Sequence, residues 1–325
     1  MNDLLWLCAG LALLAAGSEL LVRAATRLAA SLGVSPMMLG LTVVAIGTSM
    51  PELAVGLTAA NQGSGNLAVG NIAGTNLFNI LVILGISALL KPLALHLRAL
   101  KLDLPVMVVA AVMMGLLAWD GRLTRLDGAL LFGVAIAYTV VLVRVARGES
   151  RRVRAEFREM FGGDDEHGAV ALRTRTLHGA LLVVGIGLTL FGAQWLVEGA
   201  TGIARAFGIP ESVIGLTIVA VGTSAPELAT TILSTLKGDR DVAVGNLLGS
   251  SIYNVFVILG LTCLAATQAL EVERQLLLVD IPLMAGVALL CVPVFFTGQR
   301  VGRAEGALFI GIYAAYIAWL AFLRG

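Results

Sequence analysis

Two glutamates sit inside apolar runs of membrane length. Glu52 lies in LTVVAIGTSMPEL, residues 41–53, and Glu227 in LTIVAVGTSAPEL, residues 216–228. Ten of the thirteen residues are identical, at a constant offset of 175. Thr48 and Ser49 precede Glu52 by four and three residues, so on a helix all three share a face. Thr223, Ser224 and Glu227 repeat the arrangement. Thr75 and Asn79 are i,i+4 neighbours further on, matched by Ser250 and Asn254. Pro51 lacks an N–H and clashes with the carbonyl four residues back, at Gly47; Pro226 does the same at Gly222. Those breaks predict main-chain oxygens freed near Ala45 and Ala220, which lipid cannot satisfy.

The donor set is all oxygen, with no His, Cys or Lys. That chemistry suits a hard cation: Ca²⁺ takes six to eight oxygens at about 2.3–2.6 Å, and Na⁺ accepts the same groups. Two glutamates neutralise one Ca²⁺. Without a cation they repel and tend to protonate. Ca²⁺, Na⁺ or protons can therefore hold the same charges, and that competition is a physical basis for exchange.

Each feature has a bland reading. A lone Ser or Thr in a membrane helix bonds back to its own backbone. A lone Pro is a kink. A lone Glu can pair with a base, but neither run contains Arg or Lys. The duplicated co-occurrence of Pro, Glu and hydroxyls is what departs from these readings. VGNIAG and VGNLLG permit close helix packing, with Asn71 and Asn246 meeting backbone where the helix opens. Glu19 lies four residues before Arg23 and reads as a surface pair. Glu198 and Asp280 read as interfacial, and His96, His167 and His178 as solvated. The three cysteines, Cys8, Cys263 and Cys291, lie in apolar runs without paired spacing, so they read as packing residues.

The elements that position these groups are membrane helices. Only 13% of the 325 residues are charged and 58% are hydrophobic, against about 25% charged in soluble domains. A net charge of +1 gives no electrostatic footprint for nucleic acid. No Lys or Arg precedes the first apolar run, so MNDLLWL reads as the start of a span rather than a signal peptide. A crossing needs about 20 apolar residues. Such runs predict ten spans, at 4–22, 36–60, 66–90, 103–119, 126–143, 178–198, 212–236, 242–266, 276–296 and 304–323. The segment 144–178 carries eight Arg, which predicts a cytoplasmic linker. With ten spans, only Arg122, Arg125, Arg205, Arg274 and Arg324 of the 22 basic residues fall outside. That asymmetry places both termini outside.

The repeat reaches past the glutamates. LAVGNIAGTNLFNILVILGI, 67–86, matches VAVGNLLGSSIYNVFVILGL, 242–261, and LDGALLFGVAIAYTVVL, 126–142, matches AEGALFIGIYAAYIAWL, 304–320. Each half thus holds five spans. Five is odd, so the second half enters from the opposite face. The predicted fold is an all-α membrane protein of ten transmembrane helices in two inverted five-helix repeats. Residues 1–143 form the first repeat, with its motif region at 40–86. Residues 179–325 form the second, with its motif region at 215–261. Inverted repeats with broken helices at the midplane predict alternating access around a fixed ion site.

GTSMPEL and GTSAPEL, followed by GNIAGTNLFNI and GNLLGSSIYNV, resemble the two α-repeats of the sodium/calcium exchangers, within the cation/calcium antiporter superfamily; the plan is similar to its prokaryotic members. The resemblance covers the whole ten-span plan. It implies a secondary antiporter, not an enzyme, that exchanges Ca²⁺ for Na⁺, or for H⁺ in some branches. It implies a multi-pass inner-membrane protein with no cofactor and no obligate protein partner, whose ligands are inorganic cations. In the sodium-coupled branch the ion ligands match Ala45, Thr48, Ser49, Glu52, Thr75 and Asn79 here, with Ala220, Thr223, Ser224, Glu227 and Ser250 from the second half. Asn254 stands where some prokaryotic exchangers carry an acid, which makes this set poorer by one potential charge. A passive cation channel is a different class that glutamates could also serve; inverted repeats and paired helix breaks favour alternating access over it.

Overall fold

A computed structural model describes residues 2–32, 34–95, 99–161, 168–208, 220–296 and 298–324. Helix α1 is Asn2–Leu32. Helix α2, Pro36–Thr48, contains a π-helical turn at Gly40–Val44 and stops at Ser49. Helix α3 is Met50–Asn61. Helix α4, Gly65–Leu90, passes through a π turn at Asn79–Leu84. A further π turn, Ala99–Asp103, leads into α5, Leu104–Leu117. Then come α6, Arg125–Phe161, and α7, Gly168–Ala206. A short α8, Ala220–Thr223, precedes α9, Ala225–Lys237. Helix α10, Arg240–Ala265, holds a π turn at Asn254–Leu259, and α11, Leu276–Phe296, begins in one at Leu276–Asp280. Helix α12 is Arg303–Arg324.

Among the described residues, six helices are long and apolar enough to cross a membrane. The broken pair α2–α3 makes a seventh when counted as one span. Apart from four two-residue strands, the described chain is helical, and it is a membrane protein.

The segment 144–178 is not an irregular connection. Helix α6 continues to Phe161 and α7 starts at Gly168, with 162–167 outside the described residues. Arg, Glu and Ala are good helix formers, so the helices run on after the apolar stretch ends. His178 lies within α7, half-buried, rather than in a loop; His96 and His167 lie outside the described residues.

The chain forms two compact units. The first comprises Met1–Thr48 and Ile136–Asn246. Its frame is α1 against α7, antiparallel, with backbones touching. A Cβ on Gly10 would strike the Leu196 backbone, one on Gly17 the Thr189 backbone, and one on Gly192 the Leu14 backbone. Glycine removes the side chain that would hold the axes apart. Leu21, Val22, Ala25, Val44 and Leu182 form a buried cluster beside this seam. Helix α2 crosses the start of α10 just as closely: a Cβ on Gly40 would lie 3.2 Å from the Gly245 Cα, and the reverse holds as well. Glu19 pairs with Arg23, as expected, and also with Lys237 at 3.1 Å.

The second unit comprises Ser49–Ala135 and Leu247–Gly325. Here too glycines set the contacts. A Cβ on Gly85 would meet Gly306 O at 3.1 Å, and one on Gly260 would meet Gly128 O at 3.3 Å. Strand β1, Leu93–Ala94, pairs antiparallel with β4, Arg300–Val301; β2, Arg122–Leu123, pairs with β3, Leu270–Glu271. Buried Phe256, Leu77, Leu81, Ile83 and Phe295 fill the interior.

Asp280, read as interfacial, is buried within the protein. It is 4% exposed and accepts the Tyr316 hydroxyl at 2.6 Å. Asp103 is fully buried as well. The two end matching π turns, each two residues before a proline, so Glu52 and Glu227 are not the only buried carboxylates. The signal was legible: LDLP at 102–105 recurs as VDIP at 279–282.

Candidate functional site

The local backbone at each glutamate is a helix start. Ser49 leaves the helical region at φ −85°, ψ 14°, and Ser224 at φ −89°, ψ 6°. A new helix begins one residue later in both cases. Pro51 and Pro226 therefore occupy the second helical position, where a missing N–H breaks no bond. The prolines do not kink a continuous helix, as spacing alone suggested; they open a second one. Ser-x-Pro-Glu is the sequence order of a helix N-terminus, with a capping-type residue, an early proline and an acid in the first turn. That signal was available. The serine side chains themselves make no capping bond.

Glu52 and Glu227 fall in the first turns of α3 and α9, and both are fully buried. The aligned peptides of a helix start favour a carboxylate by at most about 2 kcal/mol. Removing an ion from water costs several kcal/mol. The helix start alone therefore offsets only part of that cost.

In the first unit lie Ala45, Thr48, Ala220, Thr223, Ser224 and Glu227. Ser224 is 1% exposed and Thr223 half-buried, and Ala220 begins α8. Thr48 Oγ1 lies 3.1 Å from Val44 O and 3.3 Å from Ala45 O, the ordinary back-bond of a helical threonine. It also reaches Asn246 Oδ1 at 3.3 Å, and Asn246 Nδ2 donates to Thr231 Oγ1 at 3.2 Å. Asn246 thus ties the end of α2 to α9, the helix that carries Glu227. The Gly40–Gly245 crossing brings it there. The packing reading of VGNLLG holds at Gly245; at Gly70 a Cβ would meet only the Leu276 side chain, at 3.5 Å.

In the second unit lie Ser49, Glu52, Thr75, Asn79, Ser250 and Asn254. All six are buried. Asn79 and Asn254 are each the first residue of a π turn. Such turns pull backbone and side chain out of the regular ladder and recur at functional sites. Asn254 Nδ2 donates to Asn76 Oδ1 at 3.1 Å, and Asn76 Nδ2 donates to Ser251 O at 3.1 Å. Asn254 Oδ1, Asn79 Oδ1 and Ser250 Oγ are buried with no hydrogen-bond partner. Three orphaned oxygens in a protein interior are a costly arrangement; Asn79 Nδ2 is unpartnered beside them, and the oxygens are of the kind that suits a cation. The donor set fits Ca²⁺ or Na⁺ as transported substrate.

Asn76 escaped the sequence reading. Its counterpart 175 residues on is Ser251, so it is not a duplicated residue, and duplication was the criterion.

A family model described as "Sodium/calcium exchanger protein" matches residues 3–144 and 177–322. The chain belongs to the sodium/calcium exchanger family. It is accordingly a transporter of the cation antiporter type, not an enzyme. This exchanger is 36% identical over 324 residues to the inner membrane protein YrbG of Escherichia coli (strain K12), covering 98% of this chain and 95% of the relative. It is 32% identical over 350 residues to the sodium/calcium exchanger MaX1 of Methanosarcina acetivorans, covering 99% of each. Among solved structures it is similar to the sodium-calcium exchanger NCX_Mj, with a TM-score of 0.83 and 28% identity over 98% of both chains.

Proposed function

We propose that this exchanger moves Ca²⁺ against Na⁺ by alternating access. The observation that carries the reading is the duplicated helix start, each with a fully buried glutamate in its first turn. The orphaned oxygens of Asn79, Ser250 and Asn254 support it from neutral chemistry. The cations bind at Ala45, Thr48, Ala220, Thr223, Ser224 and Glu227 of the first unit, and at Ser49, Glu52, Thr75, Asn79, Ser250 and Asn254 of the second. A relative named for sodium/calcium exchange over 99% of this chain agrees with both ions.

The architecture proposed is ten spans in two inverted repeats, 1–143 and 179–325. The linker 144–178 is cytoplasmic and both termini are outside. Exchanged contacts in the second unit support the repeat. Gly85 meets Gly306, and their counterparts Gly260 and Gly128 meet each other. Strands β1 and β4 pair, and their counterparts β3 and β2 pair.

The deciding experiment is ⁴⁵Ca flux into proteoliposomes with Na⁺, H⁺ and K⁺ gradients imposed separately. A Na⁺ gradient alone should drive uptake. Uptake driven by a pH gradient in sodium-free medium, with none from Na⁺, would replace this reading with Ca²⁺/H⁺ exchange.

A further inference from the structure

Helix α9 has two unlike faces beyond Glu227. Leu228, Ala229, Ile232 and Leu233 line a wholly apolar cavity of about 680 Å³ with side chains of α1 and α7. Thr230, Thr231, Ser234 and Thr235 form the other face, and all four are fully buried. They lie three, four, seven and eight residues after Glu227, so on a helix they continue its face toward Lys237. A buried hydroxyl row in an apolar chain calls for a reason. The row is not part of the repeat, because the corresponding positions of α3 are Val55, Gly56, Ala59 and Ala60.

The hydrogen bonds show what these hydroxyls can offer. Ser234 Oγ donates to Thr230 O at 2.7 Å, and Thr235 Oγ1 donates to Thr231 O at 2.8 Å. Thr231 Oγ1 accepts a hydrogen bond from Asn246 Nδ2. A hydroxyl that donates to the backbone keeps its oxygen lone pairs for an acceptor role. Ser234 and Thr235 thus turn their protons to the backbone and present oxygen lone pairs, which suit a cation rather than an anion. Thr230 Oγ1, the first hydroxyl after Glu227, is buried with no partner at all. At about 1.5 Å rise per residue, successive oxygens along this face stand roughly 5–6 Å apart, a short step for an ion losing water. At the end of the row, the charge of Lys237 is answered by Glu19 at 3.1 Å.

We propose that the hydroxyl face of α9, Thr230 through Thr235, is the transit path for the cation between Glu227 and the membrane face at Lys237. The inference rests on Glu227 as a cation ligand, as argued above. It adds that the two routes to the ligands are chemically unequal, since the matching face of α3 has no hydroxyl.

The test is cysteine reactivity in a chain carrying Cys8→Ala, Cys263→Ala and Cys291→Ala. Thr230→Cys, Ser234→Cys and Thr235→Cys should react with a membrane-impermeant, positively charged thiol reagent. They should react from the same side as an Asp239→Cys reporter, and saturating Ca²⁺ should slow the reaction at position 230 several-fold. Ile232→Cys and Leu233→Cys should stay inert. If the hydroxyl-face cysteines are inert while Asp239→Cys reacts, or if both faces react alike, the path is refuted. Should the cysteine-free chain not fold, the native-cysteine variant Thr230→Val with Ser234→Ala decides. Its maximal ⁴⁵Ca flux should fall while equilibrium Ca²⁺ binding holds; an unchanged flux overturns the proposal. Normal transport by Glu227→Gln would instead defeat the ligand assignment, and the labelling pattern reads the path independently of it.

Discussion

Asn254 donates Nδ2 to Asn76 Oδ1 at 3.1 Å, and that bond decides which end of the Asn254 amide is left over. The end left over is Oδ1, buried and without a partner. Asn76 is held in turn by donating to Ser251 O. Asn76→Ala frees the Asn254 amide to turn its N–H toward the cation. One hydrogen bond of this kind is worth about 1 kcal/mol. The apparent Ca²⁺ affinity in ⁴⁵Ca uptake should fall roughly five- to tenfold. An unchanged affinity would remove Asn76 from any role in positioning.

Glu52→Gln and Glu227→Gln each keep the shape of a buried side chain and delete its charge. Each should abolish Ca²⁺ flux, because one remaining carboxylate leaves half the charge of Ca²⁺ unanswered in a medium where that costs several kcal/mol. Uptake into proteoliposomes, with purified yield as the folding control, is the measurement. Normal flux in either variant would sink the assignment of that glutamate.

Asn254→Asp adds a third carboxylate to the candidate ligands. Extra negative charge near a cation site raises cation affinity, and extra like charge raises the carboxyl pKa values of the empty site. The expectation is a tighter apparent Ca²⁺ affinity together with stronger inhibition at low pH. Dose–response curves at several pH values check both at once.

Gly85 and Gly306 leave no room for a side chain, whereas a Cβ on Gly133 meets nothing within 4 Å. Gly306→Leu should therefore lower the melting temperature in detergent, since overpacking costs typically about 1–3 kcal/mol or more. Gly133→Ala should leave it unchanged or raise it slightly. Equal effects at the two positions would contradict the close α4–α12 crossing.

Tyr316→Phe removes the donor that stands 2.6 Å from Asp280 Oδ1. A buried carboxyl deprived of a donor is destabilised by roughly 1–3 kcal/mol. A melting temperature lowered in Tyr316→Phe, and partly recovered when Asp280→Asn is added, identifies the bond as structural.

Much of this molecule was legible because it is written twice. Glu52 and Glu227, Asn79 and Asn254, and Thr75 and Ser250 stand out because apolar surroundings make each oxygen conspicuous and the 175-residue offset repeats it. What duplication could not show is what breaks it. Asn76 and the hydroxyls of α9 have no like counterpart. The length of α6 was hidden for another reason: hydropathy reports where a helix leaves the apolar layer, and nothing in it says that the helix stops there. The burial of Asp280 was hidden because position along a helix does not show what packs against it; the Tyr316 hydroxyl that donates to it is 36 residues away.

The placement of the two prolines carries one more consequence. A helix start is by nature an anion receptor: its free N–H groups point outward and its peptides add partial positive charge. On the proposed site assignment, a cation carrier built on two such starts must reverse their polarity. Glutamate in the first turn supplies the negative charge. Proline at the second position removes one N–H that would otherwise compete for that carboxylate or face the ion. Pro51 and Pro226 act by subtraction, and what they subtract is a proton donor.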